Sequence, residues 1–283
     1  MNKIFEKQRQ REAPTFANIN LLGKCNADCF FCLGKDLSEY IDKFDMNSVH
    51  FREWLNFNDF ILKCTEEGIT NLYITGQNTD ALLYKYLDEL IDYLHSKGFQ
   101  VGIRTNGFLA LQKMDIVNKC TRSVGYSIHS LNPIVNKIIL GRKFVPEWDL
   151  ILSKTIQSRV AIVVNQFNVG EFENIVKFIS DYPNVKYIQA RRISTDLRQE
   201  LMLPHVEIYE ELYQRIASTF RFKGLFYDAE VYDMFGKDVV FWRTIKTTVN
   251  SWNYFVDGTI SRMYFIVEGY LKNRCLTNTA NSV

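Results

Sequence analysis

The sequence predicts an α/β fold: a partial (β/α)6 barrel followed by an aromatic-rich α/β extension. Three observations predict it. From Phe16 onward, six short apolar runs alternate with longer amphipathic stretches, the pattern of a parallel sheet with crossover helices. Polar residues cluster after each run, at the strand ends where parallel α/β folds build their sites. The last third changes character: fourteen aromatics fall between Phe220 and Tyr270, and Asp257-Gly258 separates two β-prone runs, 247–256 and 259–267, as in a hairpin. This divides the chain into a charged segment (1–15), the barrel (16–196) and an extension with a β-hairpin (197–283), expected to cap the barrel's open side. The extension argues against a complete eight-stranded barrel.

The first strand is expected over 17–22, and a helix over 51–67 ends at Gly68, where a left-handed cap costs little. The second strand, 71–75, runs into Thr75-Gly76-Gln77-Asn78. The helix expected from Asp80 carries Leu83, Leu87, Leu90, Ile91 and Leu94 on one face and stops at Lys97-Gly98. The third strand, 99–104, leads to Thr105-Asn106-Gly107, and the fourth, 122–128, to His129-Ser130. Two helices fit between 133 and 158, broken at Gly141-Arg142-Lys143. The fifth strand, 160–164, ends in Asn165-Gln166; Asn168, with Glu171 three residues on, reads as the cap of the next helix. The sixth strand, 185–189, is followed by Arg191-Arg192, and a helix spans 205–218.

With 283 residues, 47% hydrophobic, 23% charged and a net charge of +2, the composition is that of an ordinary globular chain and calls for neither nucleic acid nor membrane. The charged start has no apolar leader and no run approaches the length of a membrane span, so a cytoplasmic location is expected. Six cysteines, three of them clustered, argue against a secreted disulfide framework.

Those three lie in Cys25-Asn26-Ala27-Asp28-Cys29-Phe30-Phe31-Cys32, directly after the first strand. Three thiolates in eight residues point to a metal. A cubane of four irons normally takes one cysteine per iron, so three leave one iron open. A structural zinc site needs a fourth ligand, for which His50 and Cys64 are the nearest candidates. The C-x3-C-x2-C spacing, with Phe31 before the last cysteine, resembles the signature loop of the radical S-adenosylmethionine (radical SAM) superfamily. The resemblance implies a partial TIM-like barrel in which Cys25, Cys29 and Cys32 hold a [4Fe–4S] cluster. It also implies that S-adenosyl-L-methionine chelates the fourth iron, is cleaved reductively, and yields a 5′-deoxyadenosyl radical that abstracts hydrogen from a substrate.

By the same resemblance, Thr75, Gly76 and Gln77 occupy the place of a Gly-Gly-Glu-like motif that contacts the methionine amino group. Gln77 stands for the acid there, and a neutral amide gives up the charge-assisted part of that bond. Asn106, His129, Ser130 and Asn165 are candidate contacts to the cofactor. Arg191 or Arg192 is a candidate partner for a carboxylate, and only one of the two can face inward because strand side chains alternate. Cys64 and Cys120 read as core residues and Cys275 stands alone, so a single cluster is expected, with no cobalamin domain before the first strand. The aromatics of the extension are core, substrate platform or dimer interface, with Trp252 and Tyr254 as candidates for the substrate pocket. The expected substrate is a small biosynthetic molecule, the alternatives being a peptide or a non-catalytic zinc or iron–sulfur protein. The implied partner is an electron donor such as flavodoxin or ferredoxin.

Overall fold

The structure is a computed structural model that describes residues 16–194, 198–243 and 251–262. The charged N-terminal segment, Cys275, and most of the run expected over 259–267 lie outside the described residues. The described strands form one sheet of eleven, in the order β11-β10-β1-β2-β3-β4-β5-β6-β9-β8-β7. Its centre is the expected series: β1 (Phe16–Leu21), β2 (Asn71–Gly76), β3 (Gln100–Thr105), β4 (Val124–Ser127), β5 (Ser158–Val163) and β6 (Val185–Arg191), all parallel.

The extension joins the sheet instead of standing apart from it. β9 (Lys237–Trp242) pairs parallel with β6, and β10 (Ser251–Phe255) pairs parallel with β1. β7 (Arg221–Phe226) and β8 (Ala229–Met234) continue antiparallel from β9, while β11 (Ile260–Ser261) closes a hairpin on β10 through Asp257-Gly258. Eight parallel strands thus stand in a row from β10 to β9. In a flat sheet the ends of that row would be about 34 Å apart. The chain passes from Trp242 to Ser251 in nine peptide steps, with a reach of about 30 Å, and must also return along the strand direction. The row is therefore curled, and the chain ends of the strands converge on one mouth.

The helices cover the outside: α1 (Ser38–Ile41), α2 (Phe57–Glu66), α3 (Leu87–Ser96), α4 (Met114–Asn118), α5 (Pro133–Leu140), α6 (Trp148–Lys154), α7 (Phe172–Ser180) and α8 (Gln199–Thr219). Beneath them Ala17, Ile19, Leu72, Ile74, Val101, Ile103, Val160, Ile162, Ile188 and Ala190 form one buried core. Several of their strand neighbours, which face the lumen, are polar: Asn18 and Asn20 on β1, Tyr73 on β2, Arg104 on β3, Arg159 on β5, and Gln189 and Arg191 on β6. Gly102 makes room there, since a Cβ at this position would come 2.8 Å from the Tyr73 ring.

Several elements differ from expectation. The helix expected over 51–67 breaks at Asn56, which takes a left-handed conformation (φ 57°) and donates to the Gly258 carbonyl of the β10–β11 turn at 3.1 Å. The helix expected from Asp80 begins as a 3₁₀ turn and becomes α-helical only at Leu87. Asn168 does not cap α7; its side chain is buried, donating to the carbonyls of His129 and Val163 and accepting from the Asn165 N–H. The helix expected over 205–218 starts earlier, at Gln199, and runs through Pro204 at the cost of one helix bond. Tyr254 does not line the lumen: it is fully buried on the helix side against Trp54, Phe57 and Phe60, and Trp252, two residues before it, lies near Lys63 of α2. The alternation that puts these two rings outward turns Asn253 inward, where its Oδ1 accepts from Asn18 at 2.9 Å. Around α8, Tyr209 and Tyr213 pack on Phe241 of β9, so these aromatics are core.

Candidate active site

The loop after β1 is anchored along its whole length. The Gly23 N–H donates to Asn78 at 2.9 Å, and the Lys24 carbonyl accepts from Asn47 and Thr79, each at 3.1 Å. Asn26 accepts from the Asn106 side chain at 2.7 Å, and its carbonyl accepts from Arg142. The end of α5 takes the next stretch: the N–H groups of Asp28 and Phe30 donate to the carbonyls of Leu140 and Ile139 at 2.9 and 3.2 Å. Gly141 permits this approach, being left-handed at φ 68° and so close to Asp28 that a Cβ would sit 3.1 Å from the Asp28 Cβ. At the far end Arg198 donates to the carbonyls of Phe30 and Cys32, each at 2.6 Å.

Cys25, Cys29 and Cys32 are all free thiols on this loop. Desolvation raises each of them, Cys25 to about 11, and Cys29 is pushed further by its neighbours Cys32 and Cys25. Three thiolates on one short loop repel, so the set ionises together only with a cation among them. That donor set, three soft ligands with no fourth, fits an iron–sulfur cluster with an open iron. Among the described residues no three His, Cys, Asp or Glu side chains, these cysteines included, are gathered into a group that could hold a metal ion, so the loop carries the three ligands without drawing them into a finished site. Neither candidate fourth zinc ligand joins the loop: His50 pairs with Glu89 at 3.3 Å and accepts from the Arg52 N–H, and Cys64 is buried on α2.

The loop after β2 faces this one. The Cys32 thiol lies 3.5 Å from the Gln77 carbonyl. Thr75 pairs with Asn20 in the β1–β2 register, and Gly76 turns so tightly that a Cβ would lie 1.9 Å from the Thr79 carbonyl oxygen. The Gln77 amide points back into the lumen and donates to Asn20 at 2.6 Å, a bond a carboxylate could not make. Asp80, buried, accepts from the Leu82 N–H and the Thr105 hydroxyl at 2.9 Å and from the Asn106 N–H at 2.6 Å. It thereby fixes Asn106, whose amide nitrogen is also 3.9 Å from the Cys25 sulfur.

His129 is buried after β4. Its Nδ1 accepts from the Val163 N–H at 3.1 Å, which places the proton on Nε2, and the edge of its ring meets Phe31 of the cysteine loop at 5.1 Å. Burial first, and then the charge of Arg191, lower its pKa to about 3, so the ring is neutral. Arg191 faces the lumen, paired in register between Val163 and Trp242, whereas Arg192 turns to the helix side and meets Glu210 at 3.3 Å. Two candidates are turned to local work. The Ser130 hydroxyl donates to the Asn132 carbonyl and accepts its N–H, and the Asn165 side chain bonds Val163 and Phe167 within its own turn.

The profile of the Radical SAM superfamily matches residues 19–179, which runs from within β1 through the cysteine loop and β2 to β5 as far as α7. The chain belongs to the radical SAM superfamily. It is similar to an S-adenosylmethionine-dependent nucleotide dehydratase of Thermoplasmatales archaeon (strain ISO4-H5), at 27% identity over 127 residues covering 44% of this chain and 41% of that one. Among solved structures it resembles Streptococcus suis SuiB bound to the precursor peptide SuiA, with a TM-score of 0.63 at 12% identity, covering 93% of this chain and 62% of SuiB. SuiB bound to S-adenosylmethionine matches at a TM-score of 0.59 and 12% identity, over 90% and 60% of the two chains. The chain therefore spans less than two thirds of these relatives. The SuiB likeness concerns the fold, the partial TIM-like barrel of radical SAM enzymes.

The site residues absent from the sequence reading are Asn20, Asn26, Asp80, Arg142 and Arg198. Asn18 and Asn20 had a signal, since they alternate with apolar residues in a strand buried on both faces. Asp80 had another, as an acid three residues beyond a strand-end turn. Arg198 had none, for it acts on a loop that precedes it by 166 to 168 residues.

Proposed function

We propose that this radical SAM enzyme binds one [4Fe–4S] cluster through Cys25, Cys29 and Cys32 and acts on a small molecule. The observation that carries the reading is the anchored loop of three free cysteines at the barrel mouth, inside the family's matched span. When bound, the cluster supplies an electron for reductive cleavage of S-adenosyl-L-methionine, giving a 5′-deoxyadenosyl radical that abstracts hydrogen from the substrate. The chain's part is to bind and orient. The Gln77 backbone stands beside Cys32 for the methionine end of the cofactor, with Thr75 and Gly76 shaping the turn. Asn106, fixed by Asp80, presents its amide at the Cys25 side. His129 offers a neutral Nε2–H donor, and Arg191 a guanidinium for a carboxylate or substrate anion. Ser130, Asn165 and Arg192 hold the neighbouring loops.

A small-molecule substrate is supported by the lumen, lined by Asn20, Tyr73, Arg104, Arg159, Gln189 and Arg191. The Tyr73 hydroxyl is held below its usual pKa by Arg159, Arg122 and Arg104 despite burial, so the interior field is positive and suits a polar, anionic molecule. The relative named as a nucleotide dehydratase is in keeping with such a substrate. Electrons come in this reading from a flavodoxin- or ferredoxin-type donor.

Anaerobic reconstitution with iron and sulfide, followed by reduction in the presence of S-adenosylmethionine, tests the reading. Roughly four irons per chain and release of 5′-deoxyadenosine are expected. Stoichiometric zinc with no 5′-deoxyadenosine would overturn it.

A further inference from the structure

The guanidinium of Arg198 makes three connections at once. Its terminal nitrogens donate to the carbonyls of Phe30 and Cys32, and its Nε donates to the carboxylate of Asp36, whose side chain is fully buried. Both carbonyls belong to the turn closed by the Cys32 N–H on the Cys29 carbonyl, so one side chain grips the segment that carries two of the three cysteines. Its donor fork matches two adjacent acceptors, which an ammonium does not. The helix that Arg198 precedes, α8, makes a second tie to the same turn, where the His205 ring lies 4.8 Å from that of Phe30.

Resting on the cluster reading above, we infer that Arg198 is a positioning residue that holds the Cys29–Cys32 turn and raises the reduction potential of the cluster bound there. Reduction adds an electron, so a cation at the ligating turn favours the reduced state, and net charge and hydrogen bonding near the ligands are what a protein uses to set this potential. Among the described residues, Lys35 and Arg198 are the cations whose charge acts on Cys32. Lys35 is 40% exposed and paired with Asp28, so water screens it; Arg198 is 19% exposed and its field persists. Asp36 opposes the guanidinium from its Nε edge, while the two terminal nitrogens face the turn.

The test uses the full chain reconstituted with iron and sulfide, measuring cluster potential by spectroelectrochemistry and cluster loss to a chelator. Arg198→Lys keeps the charge and loses the fork: the potential should stay near that of the unaltered chain, with cluster loss about tenfold faster. Arg198→Gln should lower the reduction equilibrium about tenfold, a shift of about 59 mV for one electron. If that variant does not fold because the buried Asp36 carboxylate loses this cation, Arg198→Gln/Asp36→Asn removes both charges, and its potential should still fall because the guanidinium is the group on the turn. An unchanged potential in the loaded Gln variant, or in the double variant, overturns the tuning role. Unchanged cluster retention in the Lys variant overturns the holding role. Failure of the unaltered chain to take up iron and sulfide sinks the cluster reading and this inference together, whereas unchanged variants of a loaded chain sink this inference alone.

Discussion

His129 should make the protein acid-sensitive, by an amount that follows from its burial. The ring is held neutral by accepting the Val163 N–H in a site with the Arg191 charge nearby, and its pKa is about 3 against an ordinary 6.5. In the unfolded chain the imidazole takes up a proton as pH falls below 6.5; in the folded chain it does not until about 3. The unfolded state therefore binds more protons throughout that window, and stability falls as pH drops through it. Between pH 7 and pH 5 the loss from this residue is about 2 kcal/mol, or roughly 4–8 °C in Tm for a chain of this size. His129→Asn isolates the term, because its amide oxygen can accept the Val163 N–H and does not titrate. Urea unfolding of the iron-free protein at the two pH values should show the unaltered chain losing about 2 kcal/mol more than the variant. Equal losses in the two proteins would refute the neutral, buried acceptor.

Other substitutions probe the surrounding scaffold. Asp80→Ala leaves the donors of Leu82, Thr105 and Asn106 without their shared acceptor and should cost about 3 kcal/mol or more, with faster loss of iron from the reconstituted loop; an unchanged urea midpoint would count against it. Gly76→Ala forces a Cβ into the Thr79 carbonyl and should lower the yield of folded protein and, by displacing Gln77, weaken S-adenosylmethionine binding measured by calorimetry. Cys29→Ala should abolish cluster and 5′-deoxyadenosine formation together, and a variant keeping both would show the ligand assignment to be wrong.

The barrel was legible in the sequence because each of its signals is local. Ile19, Ile74, Ile103, Ile162 and Ile188 sit in short β-prone runs, and the apolar faces of α3 and α7 repeat at helical spacing. Gly68, Gly98 and Gly141 mark left-handed breaks, as expected of glycine. What was not legible depended on distant partners. Asn56 breaks its helix and is tied to Gly258, and Trp252 and Tyr254 face outward because β10 pairs with β1 in one register. Asn168 carries an N-cap pattern, yet the buried carbonyls of His129 and Val163 outcompete the helix for its amide. At the site, the three cysteines and the strand-end loops follow from spacing, whereas the residues that hold them, Asp80, Arg142 and Arg198, act across the fold.

The pairing of β1 with β10 sets an order of events during synthesis. The strand that delivers the cysteines is a bare edge until residues 251–255 have left the ribosome, and Asn18 finds its partner in Asn253, 235 positions later. Such a distant contact closes late. A nascent chain stopped after β9 would hold all three cysteines yet lack the neighbour that fixes their strand, and such a shortened product would expose its first strand to pairing with other molecules.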